Sequence, residues 1–437
     1  LGRARVVHVS GAVGDADSTD GGAGDTDVAP DSAMDSTDIG TVGPPVVFDA
    51  DLIRDQSTIN CVFENPRTAI KDAVVVDLWD VHYTSYEVLD GVLTPITIRG
   101  FAARPASKTS AIPGIVQAHG LGGFSEPNHA TGLAALTGEF VIAYTGPGGG
   151  TEPANTSEGL AAAALNGYRL FDTLKDPRGT WLWGHAVAGM RALTCMESRP
   201  DLVDATRLGF TGFSAGGVVT LISAAVDSRI KAAVPLSGTG GWAVATQSPT
   251  AWQHSLLTLA SLTIASAEWT TLLAAIDSTN LLGQTTASIF MANGSSDEFF
   301  PMTAHLATYD AIAPAAFKRT SFAGNFDHGC YALSGVESAS TIEARADLRA
   351  KGAQRALFGH VFGDKPAYAT LPEPPSGTLT PAGLATLVAA AVDEGARHSM
   401  SPTSTSGGAT TMASSGAAWS STSRDPGSGA SSRPSQR

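Results

Sequence analysis

From Val46 to Gly363 the chain runs as short apolar stretches separated by glycine-bearing turns and by longer segments of helical period. The stretches "GIVQAH", "FVIAYT", "RLGFTGF", "KAAVPL" and "SIFMAN" are almost continuously apolar. That pattern predicts strands covered on both faces, as in a parallel sheet. Ahead of them "DAVVVDLWDVHYTSYEV" and "TPITIRGFAARP" alternate, which predicts an antiparallel lead-in, and "FKRTSFA" predicts a last strand. Helical period covers Thr180–Ser198, Ser214–Val226, Thr303–Ile312 and Thr341–Phe362. The expected architecture is therefore α/β, a mostly parallel central sheet with helices on both faces. One connection is too long for that plan. About fifty residues separate Ser237 from Ser288, and "WQHSLLTLASLTI" and "WTTLLAAI" within them have helical period. They predict a helical lid, about residues 239–285, inserted after the sixth strand and lying over the carboxyl edge of the sheet.

The ends of the chain are different. Gly11–Pro45 holds eight aspartates and neither lysine nor arginine, and residues 1–45 are expected to form a disordered acidic tether. Residues 366–437 are rich in Pro, Ser, Gly and Thr, too poor in apolar groups to pack, and are expected to form a flexible tail. The 46–365 segment between them is the expected catalytic domain. Of the net charge of −14, removing those eight aspartates leaves −6, so the core is only mildly acidic. With no basic cluster, nucleic acid is not an expected partner. No apolar run reaches the roughly 18–20 residues of a membrane span, so none is expected. The first residue is Leu, which predicts that a natural start and any signal peptide lie upstream. In composition the acidic stretch resembles spacers that follow the lipidated cysteine of some bacterial envelope lipoproteins, although no cysteine precedes it here. An envelope or secreted location is the resulting expectation. The three cysteines, Cys61, Cys195 and Cys330, show no metal-site spacing, so neither a metal nor a cofactor is expected. Cys195 lies in an apolar helical setting and reads as a small core residue, while a Cys61–Cys330 pairing stays open.

Candidate chemistry centres on "GFTGFSAGG", residues 209–217, where Ser214 stands in a G-x-S-x-G between a buried strand and a helix. That context predicts a sharp strand-to-helix turn that exposes a nucleophilic hydroxyl; the alternative is a serine that merely caps the helix. A serine needs a base, an orienting acid and donors for the oxyanion. The donors expected are the backbone amides of Ala215, just after the serine, and Leu121 in "HGLGG". His119, at that strand's end, reads as a structural hydrogen-bonding residue and not as the base. The tip after "KAAVPL" has no carboxylate, and the next, "NGSSDEFFP", offers Asp297 as the acid, with Glu298 a competing neighbour. Of His305, His328, His360 and His398, two lie in helical patterns and one in the tail, which leaves His328 in "AGNFDHGC" as the base. The "YTGPGGGTEPANTSEG" loop lacks the residues that complete a phosphate-binding motif and reads as a surface loop. Trp242, Trp252 and Trp269 read as core or lid packing more than as substrate platforms.

With this elbow, the "HGLGG" loop and the Ser-Asp-His order, residues 73–363 resemble the α/β-hydrolase superfamily. "MRALTCMESRPDLVDATRLGFTGFSAGG" and "VDSRIKAAVPLSG" are similar to its acetyl-xylan esterase, cephalosporin-C deacetylase and dienelactone-hydrolase-like branch. The resemblance implies hydrolysis of small acyl esters, free or borne on a polymer, through an acyl-enzyme, with nucleophile Ser214, acid Asp297 and base His328. Two departures stand out: Leu121 replaces a tyrosine common in the acetyl esterases, and the fifty-residue insertion is absent from the smallest members. A serine peptidase or amidase of the same fold and a non-catalytic envelope binding protein are the other readings. The oligomeric state is not legible.

Overall fold

A computed structural model of the chain describes residues 47–162, 169–170, 176–323, 327–328 and 339–363. The expected tether (1–45), the expected tail (366–437) and Cys330 lie outside the described residues. Nine strands are present among them: β1 Val62–Lys71, β2 Val74–Leu89, β3 Val92–Pro105, β4 Ile112–Ala118, β5 Phe140–Tyr144, β6 Val203–Phe213, β7 Ile230–Leu236, β8 Ser288–Gly294 and β9 Lys318–Ala323. They form one sheet in the order β1-β2-β3-β5-β4-β6-β7-β8-β9. The first three and β5 pair antiparallel, and β5, β4, β6, β7, β8 and β9 run parallel. The expected mostly parallel sheet with an antiparallel lead-in is thus present.

The continuous apolar runs have a simple cause. Along β4 and β5, Ile115 and Val141 face one core while Val116 and Ile142 face the other. Each strand is buried on both sides, so alternation disappears. The helices are α1 Ala50–Arg54, α2 Pro127–Thr137, α3 Trp181–Glu197, α4 Ala215–Val226, α5 Trp242–Ala245, α6 Trp252–Leu259, α7 Ala267–Ile276, α8 Ser278–Leu281, α9 Met302–Ala311 and α10 Ala339–Phe362. Buried side chains of α3 and α4 pack in the first core, and those of α2 and the end of α10 in the second. None of the described helices is long and apolar enough to cross a membrane.

Three sequence expectations change. The edge strand β1 was not expected, because its residues are mostly exposed and Pro66 interrupts them at a register shift between Glu64 and Arg67. As a result the insertion follows the seventh strand, not the sixth; α5 to α8 fill it. Cys195 is buried as expected but is not a free core thiol. It forms a disulfide with Cys61, with 5.4 Å between their Cα atoms. The pairing joins the segment before β1 to α3 across 134 residues, a contact that spacing along the chain does not reveal.

Candidate active site

The parallel strands end on one edge, and four of the singled-out residues lie just beyond them: His119 after β4, Ser214 after β6, Asp297 after β8 and His328 after β9. A carboxyl edge is where an α/β sheet holds its ligands. Ser214 has φ 59° and ψ −123°, a conformation that side-chain-bearing residues rarely adopt. Its N–H donates to Leu236 O (2.9 Å) and its carbonyl accepts from Val218 N (3.1 Å), so β7 and α4 hold the turn. A Cβ on Gly212 would lie 2.4 Å from Gly216 O, and one on Gly216 would lie 2.4 Å from Ala118 O. Backbone from three segments meets there, and only glycine fits. Ser214 makes no side-chain cap of α4, which removes the capping alternative.

Its hydroxyl instead lies 2.9 Å from His328 Nε2. On the far side of the ring, Nδ1 is 3.0 Å from Asp297 Oδ2 and 3.2 Å from Oδ1. A carboxylate only accepts, so Nδ1 carries the proton and Nε2 presents its lone pair to the serine O–H. Asp297 Oδ1 also accepts from the amides of Phe299 (2.9 Å) and Phe300 (2.8 Å), which fixes the carboxylate before it meets the histidine. Both acidic neighbours reach His328, by different groups: Asp297 binds the ring, and Glu298 Oε2 accepts from the backbone N–H at 3.1 Å. The expected competition of Glu298 for the histidine is therefore absent: it takes the main chain and leaves the ring to Asp297.

Three aromatic rings around His328 went unrecognised in the sequence. Phe213, Phe299 and Phe300 have centroids 5.1, 4.7 and 5.6 Å from it. Trp252 of α6 packs edge-on against Phe299 and Phe300 at 6.1 Å each, which ties the insertion to the site. The usable signal was position: Phe213 adjoins Ser214, and the other two follow Asp297 and Glu298 directly. Trp242 and Trp269 are buried and stack on each other, as packing residues do. A cavity of about 10 Å³ lies between the insertion and α4, bounded by Leu170, Ala215, Val218, Trp242 and Trp252 among others. That is at most the space of about one water molecule.

The amides of Leu121 and Ala215 make no hydrogen bond to another group of the protein among the described residues. Gly120 lies against the serine, since a Cβ there would be 3.2 Å from Ser214 Cβ. His119 does have the structural role expected of it: Nε2 accepts from Gly146 N (2.8 Å), leaving Nδ1–H to donate to Gly120 O (2.6 Å). Burial lowers its pKa to about 4. The "YTGPGGG" loop is more than surface. Gly146, Pro147, Asn155 and Ser157 are buried, whereas residues 151–153, 156, 158 and 159 are exposed.

A family model described as acetyl xylan esterase (AXE1) matches residues 60–331. Among solved structures, the acetyl xylan esterase from Paenibacillus sp. R4 superposes with a TM-score of 0.51 at 20% identity, covering 71% of this chain and 97% of that one. Acetyl xylan esterase 1 from Thermoanaerobacterium sp. JW/SL YS485 gives 0.50 at 17% identity, covering 69% and 90%. At these identities the superpositions establish the fold, that of the α/β-hydrolases. No curated protein matches the chain in sequence.

Proposed function

The chain belongs to the acetyl xylan esterase family of carboxylic-ester hydrolases, and on that premise we propose that it cleaves small acyl esters, acetyl esters above all, through an acyl-enzyme on Ser214. The observation that carries the reading is the unbroken line of contacts from Ser214 Oγ through the His328 ring to Asp297. In the proposed reaction, His328 Nε2 takes the hydroxyl proton as Oγ attacks the acyl carbon. The negative charge that develops on the carbonyl oxygen is held by the Leu121 and Ala215 amides. His328 then passes its proton to the leaving alkoxide, so the alcohol departs and Ser214 remains acylated. Water, deprotonated by the same nitrogen, attacks the acyl group and releases the acid. Asp297 keeps Nδ1 protonated and stabilises the imidazolium during both steps. Apart from the ester and water, every step of the proposed reaction uses side chains and backbone amides of the chain.

Helices α5–α8 are proposed as the lid, supported by the contact of Trp252 with the rings that surround His328. The Cys61–Cys195 disulfide supports an oxidising location, in keeping with the envelope or secreted expectation. The test is release of p-nitrophenol from acetate, butyrate and octanoate esters. Wild type should prefer acetate and Ser214→Ala should release none above background. Equal slow release by both proteins overturns the ester-hydrolase reading, and cleavage of peptidyl anilides without ester cleavage replaces it with a peptidase.

A further inference from the structure

In a trans peptide the carbonyl of one residue and the N–H of the next lie in one plane and point in opposite directions. Gly120 C=O and Leu121 N–H are such a pair, so whatever fixes the carbonyl also aims the amide. Gly120 O accepts from His119 Nδ1 at 2.6 Å and from Gly123 N at 3.0 Å. The His119 ring is itself held, because Nε2 accepts from Gly146 N at 2.8 Å. One peptide upstream, His119 O lies 3.3 Å from His185 Nε2, and a carbonyl can only accept, so His185 donates.

His185 is fully buried on α3, a helix remote in sequence from the loop it touches. Its ring stacks on Trp181 at 4.5 Å and lies 4.8 Å from the His119 ring. Its Nδ1 has no hydrogen-bond partner among the described residues. It packs against Gly146, where a Cβ would come within 2.5 Å of it. Two consecutive peptide units of the loop beside Ser214 are therefore each held by an imidazole, and a third segment locks the two rings together.

We propose that His119 and His185 are a pair of positioning residues that aim the Leu121 N–H at the oxyanion. The pair rests on the reading of Leu121 as an oxyanion donor given above. Burial lowers both histidines, His119 to about 4 and His185 well below its ordinary value, so both are neutral at neutral pH, and His119 keeps the one donor and one acceptor that its two bonds use. A misaimed donor weakens binding of the transition state more than binding of the ester, so the deficit belongs in kcat.

The experiment compares His119→Ala with His119→Asn, and His185→Ala with His185→Gln, on p-nitrophenyl acetate. Thermal unfolding is recorded for each, with Ser214→Ala as the reference for background release. The asparagine amide can still donate to Gly120 O, and the glutamine amide can reach His119 O. We expect the alanine variants to lose about 10- to 100-fold in kcat, with KM within about twofold, somewhat less than the loss of a whole oxyanion donor. The asparagine and glutamine variants should recover most of that loss. Alanine variants that keep wild-type kcat overturn the proposal. So do conservative variants that fold normally yet are as slow as alanine. A wild type without Ser214-dependent release would instead remove the esterase reading, and this inference with it; an active wild type indifferent to both histidines removes this inference alone.

Discussion

Ser214 has to satisfy two demands at once, a strained turn and a free hydroxyl. The glycines at 212 and 216 meet the first by letting three backbone segments touch, and His328 meets the second by occupying the hydroxyl that would otherwise cap α4. Asp297 has a similar double task, since the same carboxylate receives two amides and the imidazole. In Asp297→Asn the carbonyl oxygen would stay with the Phe299 and Phe300 amides and the NH2 would face Nδ1. That forces the histidine into the opposite tautomer, with a proton on the nitrogen facing the serine. The expected outcome is a fall in kcat on the order of 10⁴-fold with unchanged thermal unfolding. A fall of less than tenfold in steady-state ester assays would count against the assigned roles. The three polar residues were legible because each carries a chemical type the proposed reaction needs, in an order the strands impose. Phe213, Phe299 and Phe300 were not, because a phenylalanine beside an active residue and one in a core have the same sequence appearance.

Among the elements, the glycines separate into those that permit contact and those that merely interrupt. Gly216 is closed in by Ala118 O, so Gly216→Ala should destabilise by about 1–3 kcal/mol or more and abolish ester release. Gly352 is an exposed glycine inside α10 with nothing within 4 Å of its would-be Cβ. Gly352→Ala should stabilise by up to about 1 kcal/mol and leave activity unchanged, as read from denaturant midpoints. The Glu87–Arg169 pair is a third case, a buried ion pair at 2.8 Å. Glu87 also accepts from Leu160 N, so it ties Leu160 to Arg169, the neighbour of Leu170 at the cavity. Removing one partner strands the other charge, and Glu87→Ala should cost about 3–5 kcal/mol in equilibrium unfolding. A change below 1 kcal/mol would show that water reaches Arg169. The strands buried on both faces were legible as unbroken apolar runs. The edge strand β1, exposed and interrupted by Pro66, carries no such run, and α2 carries a central Gly132 that weakens its helical signal.

Over the whole molecule, two long-range features bear on stability. The disulfide closes a loop of 134 residues, so Cys61→Ser should lower stability by about 2–4 kcal/mol, and reductant should have the same effect on wild type and none on the variant. Acid acts through histidines. Burial lowers His119 and His305 to about 4, and lowers His185 well below its ordinary value. On unfolding, each regains an ordinary value near 6.5 and binds a proton that the folded chain refuses. Stability is then flat above about pH 6.5 and falls as pH drops toward 4, by up to about 1.4 kcal/mol per pH unit for each group. Urea midpoints at pH 7, 5.5 and 4.5 test the slope, and His305→Gln should flatten it in part. A midpoint that does not move across that range would mean that these rings are hydrated.

What the sequence determined by itself was local and ordered along the chain. It gave the strand runs, the elbow, the carboxylate-bearing tip and the loop histidine, because periodicity and turn chemistry act over a few residues, and because a parallel sheet brings successive strand ends to one edge. The tertiary structure decided whatever depends on residues far apart meeting. Cys195 reached Cys61 instead of standing alone, Glu298 joined Asp297 on His328, and Trp252 reached the rings beside that histidine. His185 reached the main chain of His119 from a helix 66 residues away. Those contacts are fixed by how helices pack across a twisted sheet, and side-chain packing of that kind leaves no period in the sequence.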